Sequence, residues 1–261
     1  MATNREIVAI IQARMGSSRL PGKVMLNIEN EPVISHVYKR VDASKLVHKT
    51  VIATSSSKDD DVISKFCFEN NISCFRGSLE DVLSRYYFAS IQYPCSHVVR
   101  ITADCPVIDP AIIDKLVQYH LDGGFDYSYL YGQYPDGLDC CIFNWSTLKK
   151  AHHNAKLNYE REHVGPYIEN NKDLFKIGKL ELFKGLGHMR WTLDEEKDFE
   201  FLKEIFKRLN HITPFFNYKD ILSTIENDPM LLKINSGIIR NEGLIKSINN
   251  EIKSNSDKHE N

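Results

Sequence analysis

The chain has 261 residues, of which 42% are hydrophobic, and its 33 basic and 35 acidic side chains leave a net charge of −2. This composition excludes wholesale disorder, and the balanced charge, with no basic stripe, argues against a nucleic-acid partner. Six cysteines without a C-x-x-C pair, no leader peptide and no apolar run of ~20 residues predict a cytoplasmic protein with free thiols, no zinc site and no membrane contact.

The first half of the chain alternates strands and helices. Ile7–Ile11 is a continuous apolar run, typical of a strand buried on both faces, and a loop rich in Gly, Ser and basic residues follows it. Further strands are predicted at Thr50–Ala53, Ser73–Phe75 and His97–Ile101, and helices at Val33–Val41, Asp61–Asn70, Glu80–Ile91 and Pro110–His120. This alternation predicts an α/β fold with a mostly parallel sheet and right-handed crossovers.

The second half has a less regular pattern. Asp126–Tyr134 contains four tyrosines and is predicted to be a strand or an arm whose rings pack internally or form a dimer surface. Strands are predicted at Cys140–Phe143 and Met189–Leu193, and helices at Ser146–Ala155, Glu160–Asn170 and Glu195–Leu209. Short helices follow, and the polar end of the chain, Lys253–Asn261, is expected to fray.

The loop Ala13–Lys23, here called the basic loop, combines several devices for binding anions. Its glycines allow close backbone approach, and its serines offer hydroxyl and N–H donors. The residues concerned are Gly16, Gly22, Ser17 and Ser18, with the cations Arg14, Arg19 and Lys23. The spacing matches neither the P-loop nor the dinucleotide-binding glycine motif. A triphosphate would suit this loop, and the alternative is a solvated basic turn.

Polar segments follow the first, second and fourth predicted strands, at Ala13–Lys23, Thr54–Asp61 and Thr102–Pro106. Because ligands of parallel sheets bind at the carboxyl ends of the strands, these segments should meet at one ligand-binding edge. Asp104 and Asp194 each follow a predicted strand, where carboxylates could hold Mg²⁺. Helix capping or turn formation is the alternative role for both.

Several ordered motifs resemble those of the cytidylyltransferases that make CMP-activated sugar acids, the CMP-Kdo and CMP-sialate synthetases. The match is nearest to their relatives in spore-coat and surface polysaccharide biosynthesis. It covers Ile11–Lys23, Phe75–Gly77, Asp81–Tyr86, Arg100–Pro106, Pro135–Asp139, Glu160–His163, Arg190–Asp194 and Asn241–Ser247. The resemblance implies a three-layer, Rossmann-like nucleotide-diphospho-sugar transferase fold. It also implies Mg²⁺-dependent transfer of CMP from CTP to a sugar acid or related acceptor, with release of pyrophosphate.

The resemblance also assigns residues and regions. It implies a nucleotidyltransferase domain over residues 1–210, an acceptor or dimerisation subregion at 125–185, a helical extension at 211–261, and a homodimer. Catalytic roles fall to Lys23, Arg14 and Asp104, and metal binding to Asp104 and Asp194. Nucleotide binding falls to Ala13, Arg14, Gly16, Ser17, Ser18, Arg19, Lys23, Thr54, Ser55, Arg76 and Arg100, and acceptor binding to Asp139, Glu160 and His163.

Other readings stay open at this point. Arg100 could form a structural ion pair, Asp139 a turn, and His163 a packing contact. The same fold could support a glycosyltransferase, another NTP transferase or a non-catalytic nucleotide-sugar-binding protein. The sequence shows no dedicated general base, and it does not identify the acceptor.

Overall fold

A seven-stranded sheet forms the centre of the structure, a computed structural model that describes residues 6–240 and 242–257, with side chains of the last helix through Ile252. The strands are β1 (Ile7–Gln12), β2 (Asn27–Ile28), β3 (Glu31–Pro32), β4 (Lys49–Ser55), β5 (Ser73–Gly77), β6 (His97–Thr102), β7 (Tyr127–Tyr131), β8 (Cys141–Asn144) and β9 (Ile177–Glu181). The helices are α1 (Val33–Asp42), α2 (Asp61–Glu69), α3 (Val82–Gln92), α4 (Pro110–Gly123), α5 (Trp145–Asn154), α6 (Asn158–His163), α7 (Pro166–Asn170), α8 (Glu196–Leu209), α9 (Tyr218–Asn227), α10 (Leu231–Ile234) and α11 (Glu242–Asp257).

The order of strands in the sheet is β5-β4-β1-β6-β8-β7-β9. β1 pairs in parallel with β4 and β6, and β4 with β5, whereas β8 runs antiparallel to both β6 and β7. β9 then pairs in parallel with β7. The prediction of a mostly parallel α/β sheet is therefore confirmed, with β8 as the strand that runs against the others.

Helices cover both faces of the sheet. Along β1, Ala9 and Ile11 belong to one core cluster, and Val8 and Ile10 belong to the other. The first cluster includes apolar residues of α1, α4 and α8, and the second includes apolar residues of α3 and α5. Successive side chains of a strand point to opposite faces, so the unbroken apolar run of β1 is what a strand between two helical layers requires.

Two predicted elements are wrong. Met189–Leu193 is not a strand, because Arg190 forms only an isolated bridge with Asp136 and no ladder continues from it. The predicted helix Glu160–Asn170 is two helices, α6 and α7, separated at Val164 (φ 70°) and Gly165. Pro166 has no N–H to donate, so α7 can begin at this proline but α6 cannot continue through it.

The short hairpin β2–β3 and the edge strand β9 were not predicted. The residues of β9 alternate only weakly between buried and exposed, with Gly178 the buried member. Its strand conformation depends on pairing with β7, which lies about fifty residues earlier in the chain. A preference that depends on a distant partner leaves little local signal.

The C-terminal segment packs back onto the α/β core. α9 and α10 contact α8, and α11 contacts α6. Lys253–Asp257, predicted to fray, continues α11, while residues 258–261 lie outside the described part of the chain. Within that described part, no helix is both long and apolar enough to cross a bilayer.

Candidate active site

A cavity of about 440 Å³ opens at the carboxyl ends of β1 and β6. The basic loop, the segments that follow β6 and precede α8, α6, and the first turns of α11 contribute to its walls. The predicted loop residues that line it are Ala13, Arg14, Gly16, Ser17, Ser18, Arg19 and Lys23. The cavity thus lies at the sheet edge where the sequence predicted a ligand site.

The basic loop is held in place by the segment that follows the neighbouring strand β4. The Asp60 carboxylate accepts hydrogen bonds from the Met15 backbone N–H at 2.7 Å and from the Ser55 hydroxyl at 2.5 Å. The Gly22 N–H donates to the Met15 carbonyl at 2.9 Å, and Gly22 itself has φ 72°. Glycine adopts this left-handed conformation more readily than residues with a Cβ, so Gly22 suits the turn that presents Lys23 to the cavity.

Lys23 lies between two carboxylates at the centre of the cavity. Its Nζ is 2.8 Å from Asp104 Oδ2 and 2.7 Å from Asp194 Oδ1. Burial alone would lower the pKa of Lys23, but the two carboxylates outweigh it and raise that pKa. Burial likewise opposes ionisation of Asp104, yet Lys23 and a hydrogen bond from Thr102 lower the pKa of Asp104 to about 2. Lys23 and Asp104 are therefore both charged at neutral pH.

Neither Asp104 nor Asp194 is the N-cap of a helix. Asp109 is the N-cap of α4, and Glu195 is the N-cap of α8. Asp198 accepts the hydrogen bonds of the Asp194 and Glu195 N–H groups, each at 3.0 Å. The capping role considered for Asp194 thus belongs to its neighbours, and its carboxylate faces the cavity.

The two carboxylates suit a divalent cation that is also held by a ligand. Among residues 6–240 and 242–257 there is no group of three or more His, Cys, Asp or Glu that could hold a metal ion. Mg²⁺ needs less from the protein, since it is often bound by one or two carboxylates together with phosphates and water. Asp104 and Asp194 converge on one ammonium group, so their oxygens fit the place of a shared cation.

The other two cations of the basic loop are also paired with carboxylates. Arg14 Nη2 is 3.6 Å from Glu162 Oε1, and Arg19 lies 3.1 Å from Asp194 and 3.2 Å from Glu242. These carboxylates come from α6, the start of α8 and α11. A phosphate-bearing ligand would replace them as the partner of the loop.

Two arginines offer donors to the same cavity. Arg85 is 1% exposed, and its Nε and Nη1 have no hydrogen-bond partner in the described part of the chain. Arg100 Nε is also buried without such a partner there. Burial lowers the pKa of Arg85, yet leaving its donors unpaired is costly unless a ligand accepts from them. Arg85 was missed by sequence reasoning, although it stands inside the Asp81–Tyr86 motif.

Among the predicted acceptor residues, Asp139 and His163 line the cavity. The Asp139 carboxylate accepts from the Tyr134 hydroxyl at 2.7 Å and from Arg240 at 3.2 Å. His163 Nε2 lies 3.1 Å from the Ser247 hydroxyl of α11. Burial lowers the pKa of His163, which favours the neutral imidazole.

A buried ion-pair network supports the floor of this region. Arg190 donates to Asp136 at 2.8 Å, to Asp198 at 2.8 Å and to Asp194 at 3.1 Å. Burial and the nearby Asp139 raise the pKa of Asp136 to about 7. The two segments approach so closely that a Cβ on Gly137 (φ +104°) would lie 2.6 Å from the Thr192 nitrogen. The network sets the position of Asp194.

Four other predicted site residues do not line the cavity. Thr54 and Ser55 are fully buried, and Ser55 serves to bind Asp60. Arg76 donates to the backbone carbonyls of Ser55 and Ser57, and Glu160 accepts from the backbone N–H groups that precede α6. The structure therefore gives Ser55, Arg76 and Glu160 positioning roles, whereas the buried Thr54 hydroxyl has no hydrogen-bond partner among the described residues.

The chain is similar to known cytidylyltransferases. A family model described as cytidylyltransferase matches residues 8–230. The spore coat polysaccharide biosynthesis protein SpsF of Bacillus subtilis is 32% identical over 232 residues, which cover 86% of this chain and 95% of SpsF. The 3-deoxy-manno-octulosonate cytidylyltransferase of Trichlorobacter lovleyi is 32% identical over 187 residues, which cover 70% of this chain and 73% of that protein.

A solved structure agrees with these sequence matches. The cytidylyltransferase from Leptospira borgpetersenii serovar Hardjo-bovis (strain JB197) superposes with a TM-score of 0.83 at 32% identity. The superposition covers 90% of this chain and 99% of that chain. The resemblance predicted from the ordered motifs is thus confirmed for both sequence and fold.

Proposed function

The chain belongs to the cytidylyltransferase family, and we propose that it transfers CMP from CTP to a sugar acid, with release of pyrophosphate, in surface polysaccharide biosynthesis. The observation that carries the proposal is the meeting of Lys23 with Asp104 and Asp194 in a cavity walled by the basic loop. Two carboxylates for a cation and three cations for phosphates are what a metal-bound triphosphate requires. The similarity to SpsF and to a 3-deoxy-manno-octulosonate cytidylyltransferase supports the pathway and the acceptor class.

We assign metal binding to Asp104 and Asp194, with Mg²⁺ as the metal. When bound, Mg²⁺ would supply positive charge that neutralises the negative charge developing as pyrophosphate leaves. The chain's own cations would act on the phosphates. Lys23 would bind the group being transferred, and Arg14 and Arg19 would bind the remaining phosphates once their present carboxylate partners give way.

Catalysis would then come from positioning and electrostatics rather than from covalent chemistry. Asp60 keeps the basic loop in shape through Met15, and Arg190 keeps Asp194 in place. The acceptor would enter beside Asp139 and His163, which both line the cavity. We further propose a cytoplasmic location and a homodimer, in which exposed Tyr131 of β7 is available at a surface.

The direct test is pyrophosphate release, screened over four nucleoside triphosphates and a panel of sugar acids and sugar phosphates with Mg²⁺. We expect release with CTP and a sugar acid such as 3-deoxy-manno-octulosonate or N-acetylneuraminate. Release should stop on chelation of the metal and return when Mg²⁺ is restored. No release with any pair would leave a non-catalytic binding protein as the better description.

Replacing Arg85 by methionine should raise the KM for CTP about 10- to 100-fold, since a hydrogen bond from a charged donor is worth about 1.5–3 kcal/mol. The guanidinium is buried, and its Nε and Nη1 have no hydrogen-bond partner among the described residues, so these donors are available to the nucleotide. Initial rates over a range of CTP concentrations would give KM, and thermal unfolding would report stability.

The stability measurement separates binding from structure. Removing a buried guanidinium whose Nε and Nη1 are unsatisfied by the described residues should leave the melting temperature unchanged or raise it. A lower melting temperature with an unchanged KM for CTP would mean that Arg85 supports the fold and does not contact the nucleotide.

A further inference from the structure

The last helix contributes to the active-site cavity although it lies beyond the part of the chain that the family model matches. That match ends at residue 230, whereas α11 begins at Glu242. Gly243, Leu244 and Lys246, together with Glu242, line the cavity. The part of the chain that the family model matches therefore does not include this wall of the cavity.

Contacts at two places hold α11 against the cavity. Glu242 pairs with Arg19 of the basic loop at 3.2 Å. One turn later, the Ser247 hydroxyl lies 3.1 Å from His163 Nε2 and 3.0 Å from Glu162 Oε2. Farther along, Glu251 accepts from the Asn158 N–H at 3.0 Å. The helix is therefore fixed between the basic loop and α6.

The position of α11 assigns it to the acceptor half of the cavity. The α3 wall holds Val82 and Arg85, and the Arg85 Nε and Nη1, which have no hydrogen-bond partner in the described part of the chain, can donate to a ligand. α6, which carries His163, contacts both α3 and α11, so it lies between them along the cavity. A nucleotide placed with its phosphates on the basic loop and its nucleoside toward α3 leaves the α11 side of the cavity for the acceptor.

Lys246 is a cation on this side of the cavity that could bind an acceptor carboxylate. Asp139 and Glu162 line the cavity, and Glu162 would repel an acceptor carboxylate once its partner Arg14 binds the phosphates. Lys246 also lines it, and its side chain is 63% exposed. Its Nζ lies 2.7 Å from Glu242 Oε1, while Glu242 Oε2 is engaged with Arg19. An ammonium group has three donors, so Lys246 can bind a further anion without leaving Glu242.

We propose that α11 selects the acceptor, with Lys246 binding the carboxylate of the sugar acid. This inference rests on the proposed function. Glu242 and Ser247 hold the helix in the position from which Lys246 reaches the cavity. Acceptors without an anionic group would lose this contact and compete poorly.

Kinetics of the full-length Lys246→Met variant test this assignment. We expect the KM for 3-deoxy-manno-octulosonate or N-acetylneuraminate to rise about 10- to 100-fold, as for loss of a charge-assisted hydrogen bond. The KM for CTP should not change, and Lys246→Arg should restore much of the acceptor affinity. Lys207→Met, which removes an exposed cation of α8, is the matched control and should behave like the wild type. A higher KM for CTP with an unchanged acceptor KM would place Lys246 on the phosphates and overturn the proposal.

The carboxamides of the same sugar acids separate direct contact from a structural role. The wild type should prefer each acid over its carboxamide about tenfold or more, and Lys246→Met should lose that preference. If Lys246 had a purely structural role, its replacement would weaken binding of the acid and of the carboxamide equally. An undiminished preference for the acid in Lys246→Met would refute direct contact.

The affinity for N-acetylneuraminate and for 3-deoxy-manno-octulosonate can be measured by calorimetry in the presence of CTP. This measurement does not depend on turnover. Binding by the wild type that Lys246→Met weakens would support the assignment even if no pyrophosphate were released. Failure of the wild type to bind either acid would contradict it. Turnover with an unchanged carboxylate preference in the variant would reject the role of α11 while leaving CMP transfer intact.

Discussion

Replacement of Lys23 by methionine is expected to reduce kcat about 10²- to 10³-fold, the usual loss when one preorganised group that stabilises transition-state charge is removed. Lys23 is nearly buried and is the cation that the basic loop presents nearest to Asp104 and Asp194. Methionine fills similar space without the charge. Steady-state pyrophosphate release at saturating CTP and acceptor measures the effect.

The same variant should respond more strongly to metal. Without the ammonium, the carboxylates of Asp104 and Asp194 face each other with no cation between them. Their repulsion should lower the melting temperature in the absence of metal, and added Mg²⁺ should raise it more than in the wild type. Lys39→Met, which removes an exposed ion pair with Glu31, should change neither property much. An unchanged kcat in Lys23→Met would remove this lysine from the phosphate site.

Replacement of Asp104 by asparagine is expected to abolish measurable turnover, a loss of at least about 10³-fold, because a bound cation contributes several kcal/mol to the transition state. The fold should persist, since asparagine preserves the shape of the side chain and Lys23 keeps its contact with Asp194. Turnover at saturating substrates and the far-ultraviolet circular dichroism spectrum would be measured together.

Metal affinity provides the independent readout for Asp104. Titration with Mn²⁺ in the presence of CTP should show weaker binding in Asp104→Asn than in the wild type. Asp122→Asn on α4, where the carboxylate accepts only from Gln118 in the hydrogen bonds described, should leave both turnover and metal binding intact. Full activity in Asp104→Asn would exclude Asp104 from the metal site.

The free site is an array in which every loop cation already has a carboxylate partner. Arg14 is paired with Glu162, Arg19 with Glu242, and Lys23 with the central aspartates. Such pairing keeps the cations in place before ligand binding, which reduces the ordering cost of catalysis. It also means that nucleotide binding exchanges partners and does not simply fill an empty pocket.

The sequence alone was sufficient for the parts of the protein whose signals are local. The unbroken apolar run of β1 reflects burial on both faces, and the glycines, serines and cations of the basic loop are adjacent in the chain. The parallel order of strands then places the ends of β1 and β6 together, so Asp104 could be assigned to the ligand edge.

Tertiary structure alone decided the parts that depend on distant partners. β9 forms because it pairs with β7. Met189–Leu193 remains outside the sheet because Arg190 forms only an isolated bridge with Asp136. Only the folded chain buries the Arg85 guanidinium with Nε and Nη1 unsatisfied by the described residues, and only the folded chain places α11 against the basic loop and α6. Hydrophobic periodicity reports which face of an element is buried, but it does not report which polar side chains a fold brings together, because those pairings join residues far apart in the chain.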